Sequence, residues 1–385
     1  MKRRSAVALL IETSNAYARG LLDGVVRYME EHQRWSVYLP EQGRGASPPA
    51  WLRQWHGDGV IARVENAEIA EAVRRMKVPV VDVSAARLIE EIPWVETDDR
   101  GIIELALQHL MQRGFANFAF CGDAQFAWSI WRKHYFEQQI TEAGHEPHVF
   151  ELSPADAAGS SPDRQKKDLI RWLKALPKPV GIVTCYDILG QRILDICREL
   201  EIDVPQQVAV IGVDNDRLLC DLCSPPLSSV IPDSRRTGYE AAKLLDRMMH
   251  GEKVSGEGTL IPPLGIATRR STDVLATDDP LVAKAMHFIR EHACDGINVR
   301  DVLSAVASSR RVLEYRFKKI TGYTPHEAIV LQRLDRVRQL LQDSDLSISV
   351  IADRAGFEHV EYMSAAFRKK VGVSPSAYRR KVQPR

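Results

Sequence analysis

Phe317-Lys318-Lys319-Ile320-Thr321-Gly322-Tyr323-Thr324-Pro325 is followed, fifty positions later, by Phe367-Arg368-Lys369-Lys370-Val371-Gly372-Val373-Ser374-Pro375. The Phe, the Gly and the Pro all recur at that one offset. Upstream of each Phe lies a short apolar helix, a break, and a second helix rich in polar and basic residues. That outline predicts a helix-turn-helix written twice, over about residues 297–319 and 347–369. Between the copies, Pro325–Gln342 reads as one long helix, with Ile329, Leu334, Val337 and Leu341 near helical spacing. Such a frame holds two recognition helices at a fixed separation. They can then enter successive major grooves, about one turn or ~34 Å apart.

The side chains of the two recognition helices sort by face. Leu313 and Phe317 are four apart and predict the buried stripe of the first helix. Arg310, Arg311 and Glu314 then project elsewhere, near the helix N-terminus. Arginine binds guanine O6 and N7 bidentately, worth ~1–3 kcal/mol of discrimination. Glu314 can accept from cytosine or orient an Arg. Arg316, Lys318 and Lys319 suit phosphate or solvent. In the second helix Met363 and Phe367 face inward. That leaves His359, Glu361, Tyr362 and Ala365 as groove contacts, with Arg368 and Lys369 for the backbone of the DNA. The alternative for each face is a solvated charged surface.

Charge agrees with this placement. The 385 residues carry a formal net charge of only +1. From residue 276 onward there are 19 Lys and Arg against 13 Asp and Glu; the preceding residues hold 33 against 38. The basic excess therefore lies with the duplicated motif, as a polyanion partner requires. No run approaches the ~20 apolar residues of a membrane span. Val7–Ile11 is too short for a signal-peptide core and Glu12 follows it directly. The six cysteines include one close pair, Cys220-x-x-Cys223, without a second pair or nearby His, so no metal site is expected. Reduced thiols suit the cytoplasm.

The first 275 residues alternate short apolar strands (Val7–Ile11, Val60–Ala62, Val78–Asp82, Phe118–Cys121, Val180–Thr184 and Val208–Val213) with helical periods. That alternation predicts an α/β fold of βαβ units in two lobes, each with a parallel sheet. Ligands of such folds bind beyond the carboxyl ends of strands. Polar residues gather there: Asn15 and Tyr17 after the first strand, Asp82 closing another, Asp187 after Thr184, and Asp214 after Val213. Carboxylates and an amide exchange hydrogen bonds with hydroxyls, and Tyr and Trp offer flat apolar faces, a set that suits a sugar. Helix capping is the competing reading for each residue taken singly.

These residues carry a resemblance. Asn15, Gly57-Asp58-Gly59-Val60-Ile61, Thr97-Asp98, Asp187, Val210-Ile211-Gly212-Val213-Asp214 and Pro225–Val230 resemble, in that order, the sugar-sensing core of LacI/GalR-type regulators and periplasmic pentose-binding proteins. The resemblance implies two Rossmann-like lobes joined by three crossovers, with Arg132 also reaching the ligand. LacI-type repressors carry their helix-turn-helix before the first strand; here only a few residues precede it. The segment 280–382 is similar instead to the AraC/XylS DNA-binding domain, through Ile351-Ala352-x-x-Ala355-Gly356-Phe357, Tyr362-Met363-x-x-Ala366-Phe367-Arg368-Lys369 and Gly372-x-Ser374-Pro375. In the first half, the turn position usually held by Gly is Ala307. The order of the two parts, with Arg269-Arg270-Ser271-Thr272-Asp273 at the junction, resembles the xylose-operon activators.

The expectation is therefore a sensor over residues 1–274 and an all-α DNA-binding domain over 275–385. The resemblance implies a cytoplasmic, homodimeric transcription activator. Its effector is a pentose, D-xylose first, and its partners are promoter double-stranded DNA and RNA polymerase. A repressor, or a regulator answering to another pentose or related sugar, is the alternative. No cofactor is expected. An enzyme is not expected either: the chain has no Gly-rich phosphate loop, no Gly-x-Ser-x-Gly elbow and no His-Glu-x-x-His.

Overall fold

The structure, a computed structural model, describes residues 3–41, 43, 47–152, 162–254, 256, 258–273, 279–344 and 346–382. The chain forms two compact units, Met1–Asp273 and Val274–Arg385. The boundary expected between residues 274 and 275 lies outside the described residues.

The first unit runs β1 (Ala6–Leu10), α1 (Ala16–Glu31), β2 (Ser36–Tyr38), β3 (Gly59–Ala62), α2 (Ala67–Arg74), β4 (Val80–Asp82), β5 (Trp94–Thr97), α3 (Asp99–Met111), β6 (Asn117–Asp123), α4 (Ala127–Glu142), β7 (Pro147–Leu152), α5 (Pro162–Ala175), β8 (Val180–Thr184), α6 (Asp187–Glu199), β9 (Val208–Val213), α7 (Arg217–Leu222), β10 (Ser228–Ile231), α8 (Ser234–Met249), β11 (Gly258–Ile261) and β12 (Gly265–Ala267). The strands make two six-stranded sheets, ordered β11-β5-β4-β3-β1-β2 and β12-β10-β9-β8-β6-β7. Every pairing is parallel except that of β12 with β10.

The central strands β1, β3, β8 and β9 are apolar on both faces because helices cover both. β1 shows the consequence. Val7 and Leu9 pack with α1 and α8, while Ala8 and Leu10 pack with β3 and α2 on the other side. The chain passes between the sheets three times, after β5, β10 and β11. Those crossings bond to one another: the Asp98 N–H donates to the Ile261 carbonyl (2.8 Å) and the Leu264 N–H to the Ile231 carbonyl (2.9 Å). Six of the strands carry no clear apolar run, which is why periodicity alone does not find them. β2 at a sheet edge is exposed throughout, and β7 is only half-buried.

α1 and α8 lie unusually close. A Cβ on Gly238 would stand 2.0 Å from the Leu21 carbonyl oxygen, and one on Gly24 would stand 2.0 Å from that of Arg235.

The second unit is helical: α9 (Pro280–His292), α10 (Val299–Val306), α11 (Arg310–Thr321), α12 (Pro325–Asp343), α13 (Ile348–Arg354), α14 (Val360–Val371) and α15 (Pro375–Val382). Asp279, Asn298, Ser309, Thr324 and Ser347 cap the first five of these through their side chains. Asn298 with Asp301, and Thr324 with Glu327, form reciprocal capping boxes. Ala307, after α10, is left-handed (φ 51°, ψ 48°), at a cost of about 1–2 kcal/mol for a non-glycine residue. The second copy keeps Gly356 at its turn (φ 78°), where a Cβ would meet the Cys294 carbonyl at 2.8 Å. α12 joins the halves. Its Leu334, Val337 and Leu341 bury against Ile351, Met363 and Phe367. Its Arg333 donates to the carbonyls of Ala293 and Ile297 (both 2.7 Å) and lies over the Phe357 ring.

The α1–α8 contact predicts the outcome of Gly238→Ala. Helix propensity alone would make Ala better by about 1 kcal/mol. The clash with a backbone oxygen costs about 1–3 kcal/mol and should dominate. Urea unfolding should give a lower midpoint for the variant; a higher midpoint would show that the helices are not in contact there.

Candidate functional site

The carboxyl ends of both sheets face one cavity, and most of the residues there are polar, charged or aromatic. From the first sheet's side come Asn15 and Tyr17 (after β1), Arg63 (after β3) and Glu96 with Thr97 (β5). From the second come Trp128 and Arg132 (α4) and Asp214 (after β9). The free space among them is about 30 Å³, enough for one or two waters.

The arginines organise the walls. Arg132 donates from Nε to Asp99 Oδ1 (2.7 Å) and from Nη1 to the Cys185 carbonyl (2.5 Å), with its guanidinium 5.2 Å from the centre of the Trp128 ring. Arg63 donates to Glu12 Oε1 (2.7 Å) and also to Glu65, and stands 5.4 Å from the Tyr17 ring centre. Burial alone would lower the Arg63 pKa, but Glu65 and Glu12 outweigh it and raise the value. Asn15 serves two purposes. Its Oδ1 accepts from the Ala18 N–H (2.8 Å) and so caps α1, while its Nδ2 donates to Glu12. Capping and cavity lining are therefore not alternatives at this position.

Two strand-end carboxylates stand apart from the cavity wall. Asp82 Oδ1 accepts from the N–H groups of Val64 (3.1 Å) and Ser84 (2.9 Å), and Oδ2 from the Ser84 hydroxyl (3.1 Å). Asp187 accepts from the Ser229 hydroxyl (2.6 Å) and the Asp216 N–H (2.8 Å). Both hold loops. Burial, and then the Asp214 charge, push the Asp187 carboxyl up to about 8. Sequence reasoning passed over Arg63, Glu96 and Trp128, although the strand-end rule applied to β3 and β6 points to the first and the last. Glu96 also bonds outward, to Arg87 Nη2 (3.1 Å), and Arg87 lies 3.9 Å from the Trp94 ring centre.

In the second unit Leu313 and Phe317 of α11, and Met363 and Phe367 of α14, are fully buried. Arg310, Arg311, Arg316 and Lys318 are exposed and Glu314 is half-buried. Of the two roles open to Glu314, the structure shows it accepting from Arg310 Nε (2.8 Å). Arg316 reaches Asp279, the cap of α9 (3.3 Å). On α14, His359, Glu361, Tyr362, Ala365, Arg368 and Lys369 are all exposed. Tyr315, exposed on α11, was not anticipated. Among the described residues no group of three or more His, Cys, Asp or Glu is placed to hold a metal, and no helix is long and apolar enough to cross a membrane.

Comparison with known proteins accounts for this pairing of units. Residues 6–100 match the family described as XylR N-terminal domain, 107–272 a periplasmic binding protein-like domain, and 303–381 a helix-turn-helix domain. The chain is 35% identical to the xylose operon regulatory protein of Escherichia coli strain K12, covering 98% of this chain and 97% of that one. The chain belongs to the xylose operon regulatory protein family. The counterpart from Haemophilus influenzae is 33% identical, with 97% of each chain covered. A solved structure of xylose-binding transcription activator xylR superposes with a TM-score of 0.79, at 35% identity and 98% coverage of both chains. The transcriptional regulator CelR in complex with cellobiose shares the sensor fold, with a TM-score of 0.58 at 21% identity over 70% of this chain and 85% of that one.

Glu96 should leave a mark on stability against pH. Burial, then the Asp99 charge, push its carboxyl up to about 8 from 4.5. Between those values the folded protein holds a proton that the unfolded chain has lost. Stability therefore falls as pH rises from about 4.5 to about 8. Glu96→Gln keeps a neutral side chain and should flatten that slope in urea midpoints taken at pH 5 and pH 8. Parallel slopes for the two proteins would show that Glu96 is ionised in the fold.

Proposed function

We propose that the chain is a pentose-responsive transcription activator that binds D-xylose in the cavity and promoter DNA through α11 and α14. The observation that carries this is the cavity itself. An amide, two guanidinium groups, two carboxyl groups and a Trp face converge between two lobes, on the same chain as a duplicated helix-turn-helix. A sugar needs that mixture: donors and acceptors for its hydroxyls and a flat apolar surface for its C–H face. End-to-end similarity to the xylose operon regulatory proteins supports D-xylose over other pentoses. With about 30 Å³ free, the walls must part for a pentose to pass and close again around it. Closure then biases the DNA-binding unit by the difference in affinity of the two states for the sugar. The protein works as a cytoplasmic homodimer that contacts RNA polymerase.

Asp214, Asn15 and Arg132 are assigned to the sugar. Asp82 and Asp187 are not, since neither is among the residues that line the cavity. A screen of pentoses and hexoses by thermal shift should raise the melting temperature most with D-xylose, because a ligand of the native state alone stabilises it by RT ln(1 + [L]/Kd). Asp214→Ala should remove the shift and leave DNA binding without sugar near normal. Unchanged sugar affinity of that variant in calorimetry would overturn the assignment.

For DNA, Arg311→Ala and Arg310→Ala should each cost about 1–3 kcal/mol on the cognate site and relax specificity at one or two bases. Lys369→Ala should weaken all sequences alike and lower the salt slope by about one unit. Anisotropy titrations on cognate and random duplexes decide it. An unchanged ratio between the two duplexes in both Arg variants would mean that α11 is not a reading helix.

A further inference from the structure

The turn that presents Asp214 to the cavity has an unusual backbone. Asp214 has φ 104° and Asn215 φ 48°, successive non-glycine residues in sparsely populated backbone regions. The surroundings over-determine this shape. The Asp214 N–H donates to the Val230 carbonyl (3.2 Å), the Asn215 N–H to the Ser229 hydroxyl (2.9 Å) and the Asp216 N–H to Asp187 (2.8 Å). Ser229 in turn donates to the same Asp187 carboxylate (2.6 Å). Asp187 thus braces the turn from behind.

The Asn215 side chain points along a different route. Its Oδ1 accepts from Arg269 Nη1 (2.9 Å). The same Arg269 donates to Asp221 (2.8 Å) and to the Leu227 carbonyl (3.1 Å). Its backbone N–H and carbonyl both bond the Ser228 hydroxyl (2.8 and 2.9 Å). That hydroxyl also accepts from Thr272 (2.7 Å), and Thr272 is held further by the His109 ring (2.7 Å) and, at its carbonyl, by Arg113 (2.7 Å). Ser271, fully buried, donates to the Val210 carbonyl (2.6 Å) on β9. The segment 269–273 is therefore fixed to the strands that end at the sugar-facing turn, and the chain continues from Asp273 into the second unit.

We infer that Asn215 and Arg269 relay the state of the Asp214 turn to the segment leading into the DNA-binding unit. The inference rests on the sugar reading of the cavity. Neither residue is among those that line the cavity. A sugar that pulls on Asp214 must also move its neighbour, because successive residues in an over-determined turn cannot shift independently. Asn215 carries that movement to a guanidinium whose planar fork grips three partners, Asn215 itself, Asp221 and the Leu227 carbonyl. Two residues further on lies Ser271, on the path into the second unit. Arginine suits this task better than lysine, since its donors lie in fixed directions.

The test uses the full-length protein with D-xylose as probe. Calorimetry measures sugar affinity, and anisotropy measures affinity for the promoter site with and without the sugar. The wild type should show a ratio of DNA affinities in the ordinary range for coupled sites, about 5–150-fold. In Arg269→Lys, and separately in Asn215→Gly, sugar affinity and sugar-free DNA affinity should stay near wild type while the ratio falls toward one. The glycine variant accepts the positive φ without strain, so it guards against a folding defect in the other. The double variant should be no worse than either single one, since both cut the same link. Variants that bind sugar and keep the wild-type ratio overturn the relay and leave the sugar site standing. A wild type that gives no heat with D-xylose overturns the sugar reading and the relay with it. Loss of sugar affinity in both variants places these residues in the binding site and likewise ends the proposal.

Discussion

Two buried guanidinium groups set the form of the sensor's cleft. Removing a charge from water costs several kcal/mol, and that cost is recovered only with close, well-aligned partners. Arg63 and Arg132 are each less than a tenth exposed. Each is therefore bound to place its elements: Arg63 ties the end of β3 to Glu12 beyond β1, and Arg132 ties α4 to the start of α3 and the end of β8. Because a guanidinium is planar, the partners are fixed in direction as well as distance. Within each lobe the groups that face the cavity are thereby held in fixed directions.

The DNA-binding unit solves a different problem with the same economy of partners. Two small helix-turn-helix halves cannot each bury a large core. α12 supplies one apolar face to the second half, and its Arg333 reaches back to carbonyls of the first. That one side chain satisfies two backbone acceptors of the first half and rests on Phe357 of the second. The separation of α11 and α14 follows from the length and stiffness of a single helix. Reading DNA with a pair of helices requires no more than that, because the groove spacing is itself fixed.

The sequence disclosed these features unequally, and physics explains the difference. The duplicated motif was legible because its helices keep a fixed apolar spacing, Leu313 with Phe317 and Met363 with Phe367. The two-lobed α/β fold was legible from strands buried on both faces. The edge strand Ser36–Tyr38 was not, since an exposed strand has no apolar run to betray it. At the cavity, Asn15, Tyr17, Arg132 and Asp214 stood out as polar residues just past apolar strands or early in a following helix. Asp82 and Asp187 stood out equally and face elsewhere, because a strand-end carboxylate that accepts from the backbone has the same sequence signature as one that meets a ligand. Glu96 was hidden by its place within a short strand flanked by Trp94 and Thr97. Its partner Arg87 is nine positions away and gives no periodic signal.

The order of the two units changes where a signal must leave the sensor. In LacI/GalR-type regulators the DNA-binding motif precedes the first strand, so it hangs from the lobe that β1 begins. Here it follows residue 273, and the preceding segment is bonded to β9, β10 and α3, all belonging to the other sheet or packed on it. Among the described residues several contacts cross the cleft mouth, including an ion pair of Arg19 with Asp216 (3.8 Å). Trp131 on α4 donates one hydrogen bond to the Ala85 carbonyl (3.2 Å), and Arg87 stands 5.9 Å from the Trp131 ring centre. A bond of that kind contributes about 0.5–1.5 kcal/mol net. Moving a two-state equilibrium from one part in a hundred to its reverse takes about 5.5 kcal/mol of differential affinity. Any effector that repositions a lobe must supply differential affinity on that scale. The segment that ends the first unit is fastened to β9 and β10, so the chain leaves the sensor from the lobe built on the second sheet.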